Sequence, residues 1–299
     1  MRVVDPHVHF WRPASGDYPW LSKPGMSFVG DARDLAHDYL PADLLREAGE
    51  IEIAKVVHVE ANFDPVRPVE ETRWLHTLAD DRSAGHAGLP HGIVAAADLS
   101  APDAEVVLAA HAAFANVRGI RQILNVHADP LYNYVARDYL ADPAWRRQFG
   151  LLARYGLSFD MQLYPAQMPE AAKLARAHPD IPIVLDHAGM FVDRDTPAGF
   201  RAWRDGLRAL AACPNVSVKL SGLAMFDHAW TVESLRPYVL DAIDAFGVTR
   251  AMFASNFPVD RLFGGYEALW RAYARIVGGV SDDERRLLFS ANAERVYRI

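Results

Sequence analysis

Residues 181–189 read Ile181-Pro182-Ile183-Val184-Leu185-Asp186-His187-Ala188-Gly189. A short β-branched, apolar run closes on an acid and an imidazole, and an amphipathic helical stretch follows from about 197 to 212. This reads as a strand whose polar end opens into a loop, then a helix. The same pattern recurs along the chain. Upstream are Arg2-Val3-Val4, Ala54-Lys55-Val56-Val57-His58-Val59-Glu60, His91-Gly92-Ile93-Val94-Ala95-Ala96-Ala97-Asp98, Val117-Arg118-Gly119-Ile120-Arg121-Gln122-Ile123-Leu124 and Ser158-Phe159-Asp160-Met161-Gln162-Leu163. Downstream are Val216-Ser217-Val218-Lys219-Leu220-Ser221 and Arg250-Ala251-Met252-Phe253-Ala254-Ser255-Asn256. Helical patterns separate them, with Pro or Ser/Asp signals at their starts. They begin near 41, 68, 103, 143, 169, 197 and 231, and two more run over about 266–276 and 282–297.

Eight strand runs interleaved with helices predict an α/β protein, a (β/α)8 TIM barrel. A doubly wound sheet is the alternative, but no glycine-rich phosphate fingerprint follows any strand. No linker or short repeat interrupts the pattern, so one domain over 1–299 is expected.

Composition agrees. The 299 residues are 51% hydrophobic and 23% charged, which excludes a disordered chain. Lys and Arg total 31 against 38 for Asp and Glu, a formal net charge of -7. No basic cluster offsets it, so neither nucleic acid nor an anionic membrane is an expected partner. No apolar run approaches the roughly 20 residues that span a bilayer. The amino-terminal residues lack the apolar core of a signal peptide, and the lone Cys213 suits a reducing compartment, so a cytoplasmic protein is expected. Self-association is left open.

On such barrels the active site lies where the strands end, so the residues closing each run become candidates. Strand one ends Asp5, His7, His9; their shared parity predicts one face, and two imidazoles at i and i+2 can share one Zn²⁺ at about 2.0–2.1 Å. Strand two ends with His58 and Glu60, again of shared parity. Arg121 on strand four suits a carboxylate through paired hydrogen bonds. Gln162 closes strand five, His187 strand six, Lys219 and Ser221 strand seven, and Asn256 strand eight, with Asp260 shortly after. The loop after strand one carries Trp11, Tyr18 and Trp20, whose faces can stack on a sugar or a flat ring. Tyr164, Phe226, His228 and Trp230 could narrow a pocket in other post-strand loops.

Taken together, several segments resemble the amidohydrolase superfamily, and within it the group containing sugar-acid lactonases and 2-pyrone-4,6-dicarboxylate lactonases. They are Asp5-Pro6-His7-Val8-His9-Phe10-Trp11, Val57-His58-Val59-Glu60-Ala61, Arg118-Gly119-Ile120-Arg121-Gln122, Asp186-His187-Ala188-Gly189, Lys219-Leu220-Ser221-Gly222 and Ala254-Ser255-Asn256-Phe257-Pro258-Val259-Asp260. The resemblance implies the barrel and hydrolysis of an ester, lactone or amide. In metal-dependent members of the family the first-strand HxH, histidines after strands five and six and an aspartate after strand eight bind one or two divalent ions, and that aspartate activates water. This chain departs at Gln162 and Asn256, where relatives carry His and Asp. An amide cannot accept water's proton near neutral pH. A binuclear site is therefore not expected. His7, His9, Glu60 and His187 form a candidate single Zn²⁺ site, and the group's metal-free lactonases leave a site without metal open.

The expected reaction is opening of a sugar-acid or pyrone-type lactone by water attack on the ring carbonyl. His7, His9 and His187 are assigned to polarising the carbonyl, and Glu60, Asp260 or Asp186 to activating water. Asn256 closes the site. Trp11, Arg121, Gln162 and Lys219 are assigned to holding a small acidic or sugar-derived substrate. The alternatives are a decarboxylase on the same barrel and a non-catalytic barrel that binds a sugar acid.

Overall fold

A computed structural model describes all 299 residues. Each of the eight predicted runs is a strand: β1 (Arg2–Val8), β2 (Glu52–Val59), β3 (Gly92–Ala96), β4 (Val117–Ile123), β5 (Ser158–Gln162), β6 (Ile183–Leu185), β7 (Val216–Leu220) and β8 (Ala251–Phe253). They form one sheet in sequence order, every neighbouring pair parallel. Beyond the last strand the sheet closes on the first. The His9 amide donates to the Phe257 carbonyl at 2.7 Å, and the Asn256 amide donates to the His7 carbonyl at 2.9 Å. This is the (β/α)8 barrel the sequence predicts.

The helices follow their signals: α1 (Pro41–Glu47), α2 (Pro68–Asp80), α3 (Ala104–Ala112), α4 (Pro143–Phe149), α5 (Met168–Ala177), α6 (Pro197–Ala211), α7 (Val232–Phe246) and α8 (Tyr266–Ile276). Proline opens α1, α2, α4 and α6, where its missing N–H costs no intrahelical bond. The side chains of Asp142, Thr196 and Thr231 cap α4, α6 and α7 by accepting backbone N–H bonds. Two expectations are refined. The helix expected from near 143 ends at Gly150, with a short turn Leu151–Arg154 after it. The helix expected over 282–297 contains one π-turn, Leu287–Ala291, before α9 (Asn292–Tyr297). No helix is long and apolar enough to cross a membrane.

Alternation along the strands separates two apolar regions. The larger fills the space between strands and helices, with Val3, Ile93, Phe159, Leu185 and Phe253 facing Trp145, Trp203 and Trp270. The smaller packs Val4, Val57, Val94, Val184 and Met252 against Ala293 and Tyr297 of α9. This second set belongs to the barrel interior, which α9 stoppers from the amino-terminal ends of the strands. The other end is left for polar groups.

Candidate active site

Above that apolar plug, the inward-facing positions turn polar. Lys219 on β7 is fully buried and pairs with Asp160 on β5 at 2.5 Å and Asp186 at 3.3 Å. The Tyr297 hydroxyl donates to the same Asp160 oxygen at 2.7 Å. Burial alone would raise the Asp186 carboxyl, but Lys219 and His7 outweigh it and hold it well below the usual range. Asp160 goes the other way, pushed up to about 6 by burial against the pull of Lys219. His7 lies on this layer, its Nδ1 3.4 Å from both Asp186 and Lys219, and its Nε2 has no hydrogen-bond partner.

The three predicted histidines come together. The His7 ring centre is 5.0 Å from that of His9 and 4.6 Å from that of His187. Burial lowers all three, His187 to about 3, so each is a neutral imidazole near pH 7. His9 Nδ1 bonds the Val59 carbonyl at 2.8 Å, and that carbonyl can only accept, so His9 carries its proton there. Its Nε2 faces Asn256 Oδ1 at 3.3 Å, while Asn256 Nδ2 donates to Asp260 at 2.8 Å. Burial pushes Asp260 up to about 7. His187 Nδ1 bonds the Ser221 hydroxyl at 3.0 Å, which leaves Nε2 to the cavity.

Both His187 (φ 55°) and Asn256 (φ 60°) are left-handed. Outside glycine this conformation costs of order 1 kcal/mol or more, least for Asn, and it collects at functional positions. Ala188, Gly189 and Met190 continue the left-handed turn, and the Trp203 indole holds it by donating to the Ala188 carbonyl at 2.7 Å.

A cavity of 620 Å³ opens above these groups. Six of the ten candidate residues line it: His9, Trp11, Arg121, Gln162, His187 and Asn256. The other four do not. Glu60 was expected to hold metal or activate water, but its carboxylate is taken by Arg121 Nε at 2.7 Å and by the Asn62 amide at 2.8 Å. Lys219, expected to hold substrate, is locked beneath the floor. Asp260 stands behind Asn256, and His7 behind the other two histidines. The third base candidate, Asp186, is also absent from the wall. Of the aromatic candidates for the rim, Tyr18, Tyr164, Phe226, His228 and Trp230 stay off the wall, while Trp20 joins Trp11 on it.

The parity argument explains two misplacements. Asp5 follows the inward Val4 and so faces outward, where it accepts from Ser255 N, His7 N and the Tyr266 hydroxyl, and the register irregularity between Asp5 and Val8 puts His7 and His9 on the opposite, inner face. His58 likewise points out of the barrel: it accepts from Phe10 N at 3.0 Å and lies 3.6 Å from Glu71 of α2. Glu60 falls past the end of β2, where alternation no longer governs direction. Sequence reasoning also missed Asn62 and Lys23, and Met26, Ser27, Val29 and Gly30 of the small hairpin that pairs Met26–Ser27 with Gly30–Asp31, all on the wall. Asn62 followed Glu60 at the same parity and was within reach of the strand-end argument; nothing in the sequence marked the hairpin.

The residues do not fit the expected single-ion site. Glu60 is held away by Arg121, and no group of three or more His, Cys, Asp or Glu side chains is arranged to hold a metal ion. His7 Nε2 is the one buried imidazole nitrogen at the site without a partner.

The family profile described as Amidohydrolase matches residues 4–299. The chain is 47% identical over 301 residues to an uncharacterized protein of Sinorhizobium fredii, covering 99% of this chain and 98% of that one. It is 32% identical over 313 residues to an L-fucono-1,5-lactonase of Burkholderia ambifaria, covering 99% and 95%. Among solved structures it is similar to an amidohydrolase of Burkholderia multivorans with bound zinc, at 29% identity and a TM-score of 0.82 over the whole of both chains.

Proposed function

The chain belongs to the amidohydrolase family, and from that premise we propose that it opens a sugar-acid or pyrone-type lactone by attack of water on the ring carbonyl. The observation that carries this reading is the composition of the cavity floor. A buried guanidinium, Arg121, stands beside the neutral imidazoles of His9 and His187, and no carboxylate lines the wall. The likeness to a lactonase along 99% of the chain supports it.

Each group has a role its position suits. Burial disfavours the Arg121 cation, but Glu60 outweighs that and keeps it charged. Its N–H groups not bound to Glu60 or Gln162 are placed to accept the negative charge that develops on the carbonyl oxygen. The same cation draws in an acidic substrate. His187 presents Nε2 to the attacking water, takes its proton, and returns it to the ring oxygen as the acyl bond breaks. The Ser221 hydroxyl fixes the ring for that exchange. The water oxygen is then bonded to the former carbonyl carbon, and the product is a hydroxy acid. Lactones are activated esters, so a weak base suffices where an amide would demand a stronger one. The free, buried Cys213 suits a cytoplasmic setting.

Proton release in weak buffer, measured over a panel of aldono-lactones and 2-pyrones, tests the reaction. At least one lactone is expected to turn over well above its spontaneous rate, and His187→Gln to lower kcat by about 100-fold or more. If every lactone stays at its spontaneous rate, the proposal falls.

A further inference from the structure

The walls of the cavity do not match its floor. Resting on the lactone reading above, and narrowing it away from the hydroxyl-rich sugar acids, we propose that the lactone this site takes carries few hydroxyls and a bulky apolar substituent, alkyl or aryl, away from its carbonyl carbon, as on the carbon that bears the ester oxygen.

Space is the first argument. A cavity of 620 Å³ lies within the roughly 300–1,000 Å³ that encloses a drug-sized molecule, well beyond one six-membered ring. The second is that most polar groups on the wall are already satisfied within the protein. The indole N–H of Trp11 donates to the His37 carbonyl and that of Trp20 to the Ala61 carbonyl, each at 2.9 Å, so both rings offer the cavity only carbon. Gln162 is used at both ends, accepting from Arg121 at 3.1 Å and donating to Asn125 at 3.2 Å. The Asn256 side-chain N–H is used on Asp260, while its Oδ1 faces the unprotonated Nε2 of His9. What remains is a spare edge of Arg121, one ring nitrogen each of His9 and His187, the Asn62 side-chain amide, the Tyr134 hydroxyl and the Lys23 ammonium near the mouth. That set serves one lactone carbonyl and one acidic group. It leaves few partners for a ring with a hydroxyl on every carbon.

The upper walls supply the third argument. Leu35, Met26 and Val29 face the cavity on one side, and Ile123, Val135 and Met225 complete it. The hairpin bearing Met26 and Val29 is fixed in place by Phe28, which packs on Tyr132, Tyr134 and Phe226 with ring centres 5.2–5.5 Å apart. Met26 is nevertheless 74% exposed, apolar surface that nothing in the chain covers. A hydroxyl against such walls gives up its water without replacement, whereas a methylene gains by leaving water.

The test compares δ-decalactone, δ-valerolactone and D-glucono-1,5-lactone as substrates. It also follows quenching of tryptophan fluorescence by the product acids 5-hydroxydecanoate and gluconate. We expect kcat/KM for δ-decalactone to exceed that of both other lactones by at least about tenfold, and 5-hydroxydecanoate to bind at least about tenfold tighter than gluconate. The double variant Met26→Ser, Val29→Ser is expected to cut both ratios by roughly threefold or more. Ratios near one, or a preference for gluconolactone, overturn the apolar subsite while leaving lactone hydrolysis standing. Tight 5-hydroxydecanoate binding without turnover of any lactone overturns the reaction and leaves the subsite standing. Binding no tighter than gluconate overturns the subsite whether or not turnover is seen.

Discussion

His187 has a left-handed backbone, and its imidazole is closely packed by the strand-end turn beside it. Gly222, itself left-handed at φ 60°, lies so close that a Cβ there would sit 2.4 Å from His187 Nδ1. Glycine at 222 therefore makes room for the bond between His187 and Ser221 on the adjoining residue. Gly222→Ala is expected to displace the imidazole and lower kcat by about 100-fold, with a melting temperature only a few degrees lower, about 2–4 °C per kcal/mol of strain. Thermal unfolding alongside lactone turnover checks this; unchanged turnover would remove His187 from the reaction. At this scale the sequence was informative about imidazoles and poor about carboxylates. His7, His9 and His187 announced themselves because they close short apolar runs. Glu60 and Asp260 carried the right chemistry, yet their direction depends on partners far along the chain, Arg121 for one and Asn256 for the other.

Helix α2 illustrates how an outer element supports the site without entering it. Its Glu71 is buried and accepts from the Ala61 amide and the Tyr18 hydroxyl, so it ties the end of β2 to the loop after β1. Burial pushes this carboxyl up to about 8, against an ordinary value near 4.5. The folded chain thus holds a proton there that the unfolded chain gives up. Stability from this group is complete below about pH 4.5 and is lost as pH rises through about 8. Glu71→Gln keeps an accepting oxygen but cannot ionise. Melting curves from pH 5 to 9 are expected to show the variant gaining on the parent as pH rises; parallel curves would contradict the argument. The elements themselves were legible, because period-two runs and proline-led helices are local signals. The irregularity in β1 was not, since register depends on the pairing with β2.

Across the whole molecule, one line of buried polar contacts joins the two ends of the barrel. It runs from Tyr297 on α9 through Asp160, Lys219 and Asp186 to His7. Tyr297→Phe keeps the ring 5.0 Å from the Lys219 ammonium but removes the donor to Asp160. The expected loss is about 1.5–3 kcal/mol in denaturant unfolding, the worth of one hydrogen bond to a charged group, since Lys219 still holds that oxygen. A midpoint equal to the parent's would show that the hydroxyl carries nothing. No composition or spacing singled out Tyr297; it matters only because α9 reaches into the barrel. The closure between β8 and β1 has a consequence in time. His9 and Asn256, which face each other across the site, are 247 residues apart in the chain. During synthesis the first half of the site is made early and waits through seven further strands for its counterpart, followed by the helix that seals the bottom. Catalysis therefore cannot begin on a growing chain, and a polypeptide cut short anywhere before the eighth strand retains its HxH with no site around it.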